Sequence, residues 1–146
     1  MTFEVVDLIQ GSPEWKAHRA SHFNASDAPA MQACSPNTTR TELVKQLASG
    51  IERDFSDYVQ ERVLDKGHVF EAYARPLGET IVGEDLYPVV GTNGIYSASY
   101  DGMTMMEDKG FEHKSLNAAL REAMYEGCTG RDLPLCYQVQ MEHQCM

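Results

Sequence analysis

The chain has 146 residues, 42% of them apolar, and a formal net charge of -10, which suits one compact core over residues 1–146 and is short for two ordinary domains. No apolar run approaches the roughly 20 residues that cross a bilayer, and Glu4 and Asp7 stand where a signal peptide would be basic and then apolar, so a soluble cytoplasmic protein with no membrane partner is expected. Four irregularly spaced cysteines argue against a disulfide scaffold or a short-step zinc site, and the acidic balance argues against a nucleic-acid partner unless Lys16, Arg19, Arg62, Lys66, Arg75, Lys109 and Lys114 line one cleft.

Ser12, Pro13 and Glu14 form a helix start, with a capping hydroxyl, a preorganised first position and an acid at the positive end; this helix is expected to run to about Ser21. A second short helix is expected after Asn24 or Ser26. Thr39 to Glu42 fits a capping box and Gly50 a C-terminal cap, with Leu43, Val44 and Leu47 as the apolar face of a third helix. From about Asp57 to Leu77, apolar Val59, Val63, Phe70 and Ala74 recur at helical spacing, and Pro76 marks the expected end. Leu86 to Val90 then reads as a strand, Asn93 and Gly94 as a turn, Ile95 to Asp101 as the next strand and Lys109 to Ser115 as another. Leu116 to Glu126, stopped by Gly127, reads as a helix, and a last helix starts at Pro134 and carries Gln138, Val139, Met141 and Gln144 in register to the end. Helices on both sides of a small central mixed sheet give an α/β class.

Side chains alternate along a strand, so Ser97, Ser99 and Asp101 share one face while Tyr96, Ala98 and Tyr100 take the other. Glu112 and Lys114 likewise project together. If the two strands are neighbours, Asp101, Glu112 and Lys114 surround one point, and paired carboxylates there suit Mg²⁺ or Mn²⁺. Such an ion generates hydroxide and polarises a phosphoryl oxygen, with a lysine to orient water or neutralise charge, which is the equipment of phosphodiester hydrolysis. Glu71 on the long helix and Gln138 on the last one are candidates to complete the site.

An aspartate followed 11 residues later by Glu-x-Lys is common by chance. Its surroundings are more specific: QGSPEW at residues 10–15, Arg19, Asn24 to Ser26, GHVFE at 67–71, SYDG at 99–102, GFEHK at 110–114 and YQVQ at 137–140. This ordered series resembles the phage lambda exonuclease or YqaJ-type viral recombinase family, within the PD-(D/E)XK nucleases. The resemblance implies a restriction-endonuclease-like core and a two-metal, Mg²⁺-dependent deoxyribonuclease. Such an enzyme degrades one strand of linear duplex DNA from its 5′ end and works with a single-strand annealing protein in phage recombination. By position it implies Asp101, Glu112 and Glu71 as metal ligands, Lys114 as the catalytic lysine, and Gln138 as the residue completing the site. It implies Arg19, Ser26 and Ser99 as a pocket for the terminal 5′ phosphate, a guanidinium with hydroxyls being a sensible anion receptor. It also implies a ring-shaped homotrimer and a fold that continues beyond the last helix, so the chain is expected to stop before its core is complete.

Ordinary roles compete with these. Asp101 can be a turn residue before Gly102, Glu112 and Lys114 a solvated strand pair, Glu71 a helical ion-pair partner of Arg75, and Arg19 and Ser26 helix decoration. Trp15 is expected as a core anchor, His18, His22, His68 and His143 as helix-surface or core residues, and Met103, Met105 and Met106 as strand packing. The rival functions are an endonuclease or repair nuclease on the same core, or a catalytically weakened DNA-end-binding protein.

Overall fold

The computed structural model describes residues 2–50 and 65–145; Arg62 and the helix expected over 57–64 lie outside the described residues. In chain order the elements are β1 (Glu4–Val6), α1 (Pro13–Ala20), β2 (Phe23–Asn24), a 3-10 turn (Ala25–Asp27) leading into α2 (Ala28–Met31), α3 (Arg40–Ser49), α4 (Asp65–Val82), β3 (Tyr87–Asn93), β4 (Tyr96–Met103), β5 (Gly110–Phe111), α5 (Ala118–Ala123), a second 3-10 turn (Gly130–Asp132) and α6 (Leu135–Gln144). The fold is α/β, a small mixed sheet flanked by helices, as the sequence implies. Among the described residues no helix is long and apolar enough to cross a membrane.

The helix signals operate as local chemistry. Ser12 Oγ accepts the Trp15 N–H at 3.2 Å and so caps α1. Thr39 and Glu42 form both halves of a capping box, and Gly50, left-handed at φ 65°, closes α3 by donating to the Gln46 carbonyl at 3.1 Å.

β4 is the spine of the five-stranded sheet. It pairs antiparallel with β3 along its length, parallel with β2 at its start and antiparallel with β5 at its end, while β1 extends the sheet beyond β3. Asn93 opposite Tyr96 encloses a two-residue turn whose first central residue, Gly94, takes a positive φ of 63°. The register shifts between Tyr87 and Val89: two steps of β3 there face three of β4, from Met103 to Tyr100, so Asp101 and Gly102 have no paired partner on β3. Ala98 and Tyr100 are buried along the spine, as is Val90 on β3. Phe3 meets the Tyr100 ring edge-on at 6.1 Å and lies where a Cβ on Gly91 would be. On the far side the Tyr100 hydroxyl donates to the Gln144 carbonyl at 2.6 Å, docking the end of α6 on the sheet. Burial, then the nearby Cys145, pushes this phenol up to about 12, so it remains a donor.

The structure corrects several expectations. Pro76 does not end its helix: α4 runs on to Val82 and stops at Gly83, left-handed at φ 80°. Proline removes one backward hydrogen bond, and packing of Gly78 against Phe111 and Leu86 keeps the remaining turn in place. The strand expected over 109–115 is paired only at Gly110–Phe111. The helix expected over 116–126 spans only Ala118–Ala123. Beyond it, Tyr125 donates to Asp132 at 2.8 Å and Thr129 and Asp132 make their own capping box, drawing the chain out of the helix before Gly127. Met103 is buried, but Met105 and Met106 are 78% and 79% exposed in the turn before β5 and pack nothing. The short β1 and β2 strands were not expected.

One contact defines how closely the elements meet. A Cβ on Gly102 would lie 2.9 Å from Leu86 Cβ, an atom that moves only with its backbone. Gly102→Ala is therefore expected to lower unfolding free energy by about 1–3 kcal/mol in urea titration, whereas Gly130→Ala, with nothing within 4 Å, should change it by under about 0.5 kcal/mol.

Candidate active site

The β4–β5 ladder pairs Met103 with Gly110 and Gly102 with Phe111, then stops. The next rung would join Asp101 to Glu112. There side chains replace the strand: Arg75 Nε donates to the Asp101 carbonyl at 2.9 Å, and the Asp101 carboxylate accepts the His113 N–H at 2.7 Å. Asp101 thus holds the departing segment by its side chain, and Glu112 and Lys114 leave the sheet beside it.

Three carboxylates converge on this point. Glu71 comes from α4 and accepts from Arg75 Nη2 at 2.7 Å, one helical turn on. The pairing with Arg75 expected on ordinary grounds is present, and the same guanidinium also reaches the Asp101 carbonyl. Glu112 is 10% exposed at its side chain and takes three donors: Lys114 Nζ and Gln140 Nε2 (2.7 Å) on Oε1, and Gln144 Nε2 (2.7 Å) on Oε2. The Asp101 carboxyl is pushed up to about 6, first by burial, then by the charge of Glu112 and, less strongly, of Glu71; the His113 N–H and Lys114 pull against this.

Gln138 does not join them. Its amide donates to the Leu133 carbonyl at 2.6 Å and the Arg131 carbonyl at 3.1 Å, and it faces a groove on the opposite side of α6 with His22, Tyr96 and His143. The correction is helical geometry: residues two apart lie on different faces, whereas Gln140 and Gln144, four apart, share one. That i, i+4 spacing was the sequence signal for these two residues.

Arg19, Ser26 and Ser99 fall into one chain of contacts with Trp15 in its middle. Arg19 Nη2 donates to Ser26 Oγ at 3.0 Å and lies 3.8 Å from Asp27; its guanidinium sits 4.8 Å over the Trp15 ring, and the Trp15 indole N–H donates to Ser99 Oγ at 2.9 Å. Trp15 is therefore half-buried between these groups and no core anchor. Gln10, from the same QGSPEW segment, donates to the Tyr100 carbonyl at 3.0 Å and fixes the approach of α1 to β4. His18 lies against Ser97 Oγ at 3.1 Å, its pKa lowered by burial, then by His22 and Arg19.

Among the described residues, four of the cations expected to line a cleft are engaged by carboxylates. Lys114 and Arg75 turn to the site's carboxylates, Arg19 to Ser26 and Asp27, and Lys109 to Glu84 on the surface. Among the described residues no three His, Cys, Asp or Glu already stand at metal-binding spacing. The donor set still fits a hard divalent cation: Asp101, Glu112 and Glu71 offer only carboxylate oxygens, and the repulsion between them, which adds to burial in raising the Asp101 pKa, is what a cation relieves.

Burial, with the neighbouring carboxylates behind it, gives a pH signature in metal-free protein. A raised folded pKa stabilises the fold below the unfolded value near 4, and that contribution is lost as pH rises through about 6. Asp101→Asn keeps an acceptor for His113 and removes the charge. It is expected to flatten the fall in stability between about pH 4 and 6 and to raise stability at pH 7 by on the order of 1–2 kcal/mol, discounted for partial solvation. Urea titrations of both proteins in chelator across pH 4–8 check this, and parallel curves would refute it.

Residues 14–146 match the model of the YqaJ-like viral recombinase domain. A search of the curated proteins gives no match. The match covers the helix carrying Arg19, the α4 carboxylate, the broken β4–β5 rung and α6, and the chain belongs to the YqaJ-like viral recombinase domain family.

Proposed function

We propose that this protein is a Mg²⁺-dependent deoxyribonuclease of phage-type recombination that removes nucleotides from linear duplex DNA starting at a 5′ end. The observation that carries the proposal is the broken β4–β5 rung, where Asp101, Glu112 and Glu71 meet beside Lys114. Asp101, Glu112 and Glu71 would hold the metal, which when bound supplies an activated water and polarises the scissile phosphoryl group.

The chain's own residues then have separable roles. Lys114 brings an ammonium to the edge of the carboxylate cluster, where it can leave Glu112 for a phosphate oxygen and neutralise charge that builds as the phosphodiester opens. Arg75 keeps Glu71 turned inward and covers the Asp101 carbonyl, so both carboxylates are set before substrate arrives. The linked Ser26, Arg19, Trp15 and Ser99 give a receptor for a terminal phosphate: an anion can take Arg19 and the Ser26 hydroxyl together, and the indole N–H holds Ser99 in place. An end-holding pocket on the β4 face that carries Asp101 favours cutting one step in from an end over cutting within a duplex.

A second reading, a DNA-end-binding protein with weakened catalysis, is favoured by one feature: both Glu112 oxygens are already engaged. Turnover separates the two. In Mg²⁺ the wild-type protein is expected to release nucleotides from linear duplex and none from closed circles, and Lys114→Ala should lose on the order of a hundredfold or more in rate with the fold intact. Arg19→Ala should erase a preference for 5′-phosphorylated over 5′-hydroxyl ends. Retained end affinity with no turnover in Mg²⁺ or Mn²⁺ would instead establish the binding protein, and equal wild-type rates on the two ends would remove the phosphate pocket.

A further inference from the structure

We propose that Gln144 is a positioning residue for the metal site: its carboxamide fixes the second oxygen of Glu112 and presents that carboxylate, still charged, to a divalent cation. The inference rests on the metal-dependent reading above and concerns a residue that reading does not use.

Backbone pairing does not orient Glu112, because the β4–β5 ladder ends at Phe111 and the chain is irregular from 112 onward. Its side chain is nonetheless well buried, and its orientation comes from donors. On Oε1 there are two, the Lys114 ammonium and the Gln140 amide. On Oε2 there is one, the Gln144 amide at 2.7 Å. Without Gln144, Oε2 has no donor among the described residues, and the carboxyl plane is free to turn about the Oε1 contacts.

The kind of donor matters. A lysine or arginine at this position would neutralise the carboxylate and compete with a metal. A carboxamide directs an N–H at the oxygen and adds no charge, so the site keeps its negative potential and loses only rotational freedom. Gln144 is itself held from behind: the Tyr100 hydroxyl donates to its backbone carbonyl at 2.6 Å, tying the last turn of α6 to a core residue of β4. The carboxamide reaches the site, with a longer contact of the same Nε2 to the Ser99 carbonyl at 3.5 Å, while the backbone carbonyl takes the short bond that docks the helix.

This separation supplies the test. Binding of Mn²⁺ to the whole chain is measured by electron paramagnetic resonance of the free ion, with thermal unfolding recorded for each protein. Gln144→Met keeps the length of the side chain and cannot donate to Glu112 or to the Ser99 carbonyl; it is expected to bind Mn²⁺ about 10- to 100-fold more weakly with Tm lowered less than in Tyr100→Phe. Tyr100→Phe removes only the docking bond and should lower Tm while binding Mn²⁺ within about twofold of wild type. Should Gln144→Met fail to fold, Gln144→Asn retains an amide one methylene short of Oε2 and should show the same weakening. Wild-type affinity in whichever of these two variants folds would overturn the proposal. So would Tyr100→Phe and the Gln144 variant losing Mn²⁺ affinity equally, since that is the mark of a purely structural tie. If the wild-type chain binds no Mn²⁺, the metal-dependent reading fails and takes this inference with it.

Discussion

At Asp101 the hydrogen bonds of β4 leave the sheet and go to side chains, and the local arrangement follows from that change. The carbonyl that a neighbouring strand would use is taken by Arg75, and the amide of His113 goes to the Asp101 carboxylate. Had the ladder continued, Glu112 and Lys114 would lie on a flat strand face, alternating with Phe111 and His113 at the pitch of the sheet. With the ladder broken, the segment after Phe111 turns under α6, and Gln140 and Gln144 reach Glu112 from above. The cluster is thus built where regular structure fails, with the sheet supplying rigidity up to the last paired rung. Loss of two ladder bonds is offset because both groups find other partners and neither is left unsatisfied.

The charge balance of -10 takes on a different meaning once the pairs are located. A protein that held DNA by a broad basic surface would spread its lysines and arginines over one face. Here the cations nearest the cluster are engaged with it: Arg75 with Glu71, Lys114 with Glu112. They moderate the carboxylates without cancelling them, since Asp101 still has its pKa raised by Glu112 and Glu71. An acidic site of this kind is suited to recruiting divalent cations first and phosphate through them, so the electrostatic objection to a nucleic-acid substrate loses force at the place where chemistry would occur.

Much of this was legible in the sequence, and the failures have physical causes. Capping is local chemistry within three or four residues, so α1 and α3 were readable at both ends. The alternation along β4 put Ser97, Ser99 and Asp101 on one face, and their contacts to His18, Trp15 and the site respect it. The two-residue β5 was not readable, because what stops it is Arg75, 26 positions before Asp101 in the chain. Pro76 misled because a proline removes one bond, while the tight fit of Gly78 under Phe111 is a tertiary gain invisible from local spacing. The motif singles out Gln138 because it gives order along the chain, whereas helical phase decides the face and brings the Gln140 and Gln144 amides to Glu112. Trp15 was read by its bulk, yet its indole N–H is what joins Ser99 to the Arg19 stack.

The spacing along β4 links the two halves of the site. Ser99 and Asp101 are alternate residues of one strand, so their Cα atoms are separated by roughly 6.5–7 Å. A strand fixes that interval more rigidly than two loops could, because it is set by the backbone, and at Ser99 it is locked by pairing with Val90 of β3. An anion held beside Ser99 by Arg19 would therefore stand at a near-constant distance from the carboxylates at Asp101. Cleavage counted from an end needs such a ruler, whereas cleavage within a duplex gains nothing from it. The proposed end-directed activity would draw on both groups lying along one strand, and a one-residue slip of β4 would turn both to the core together.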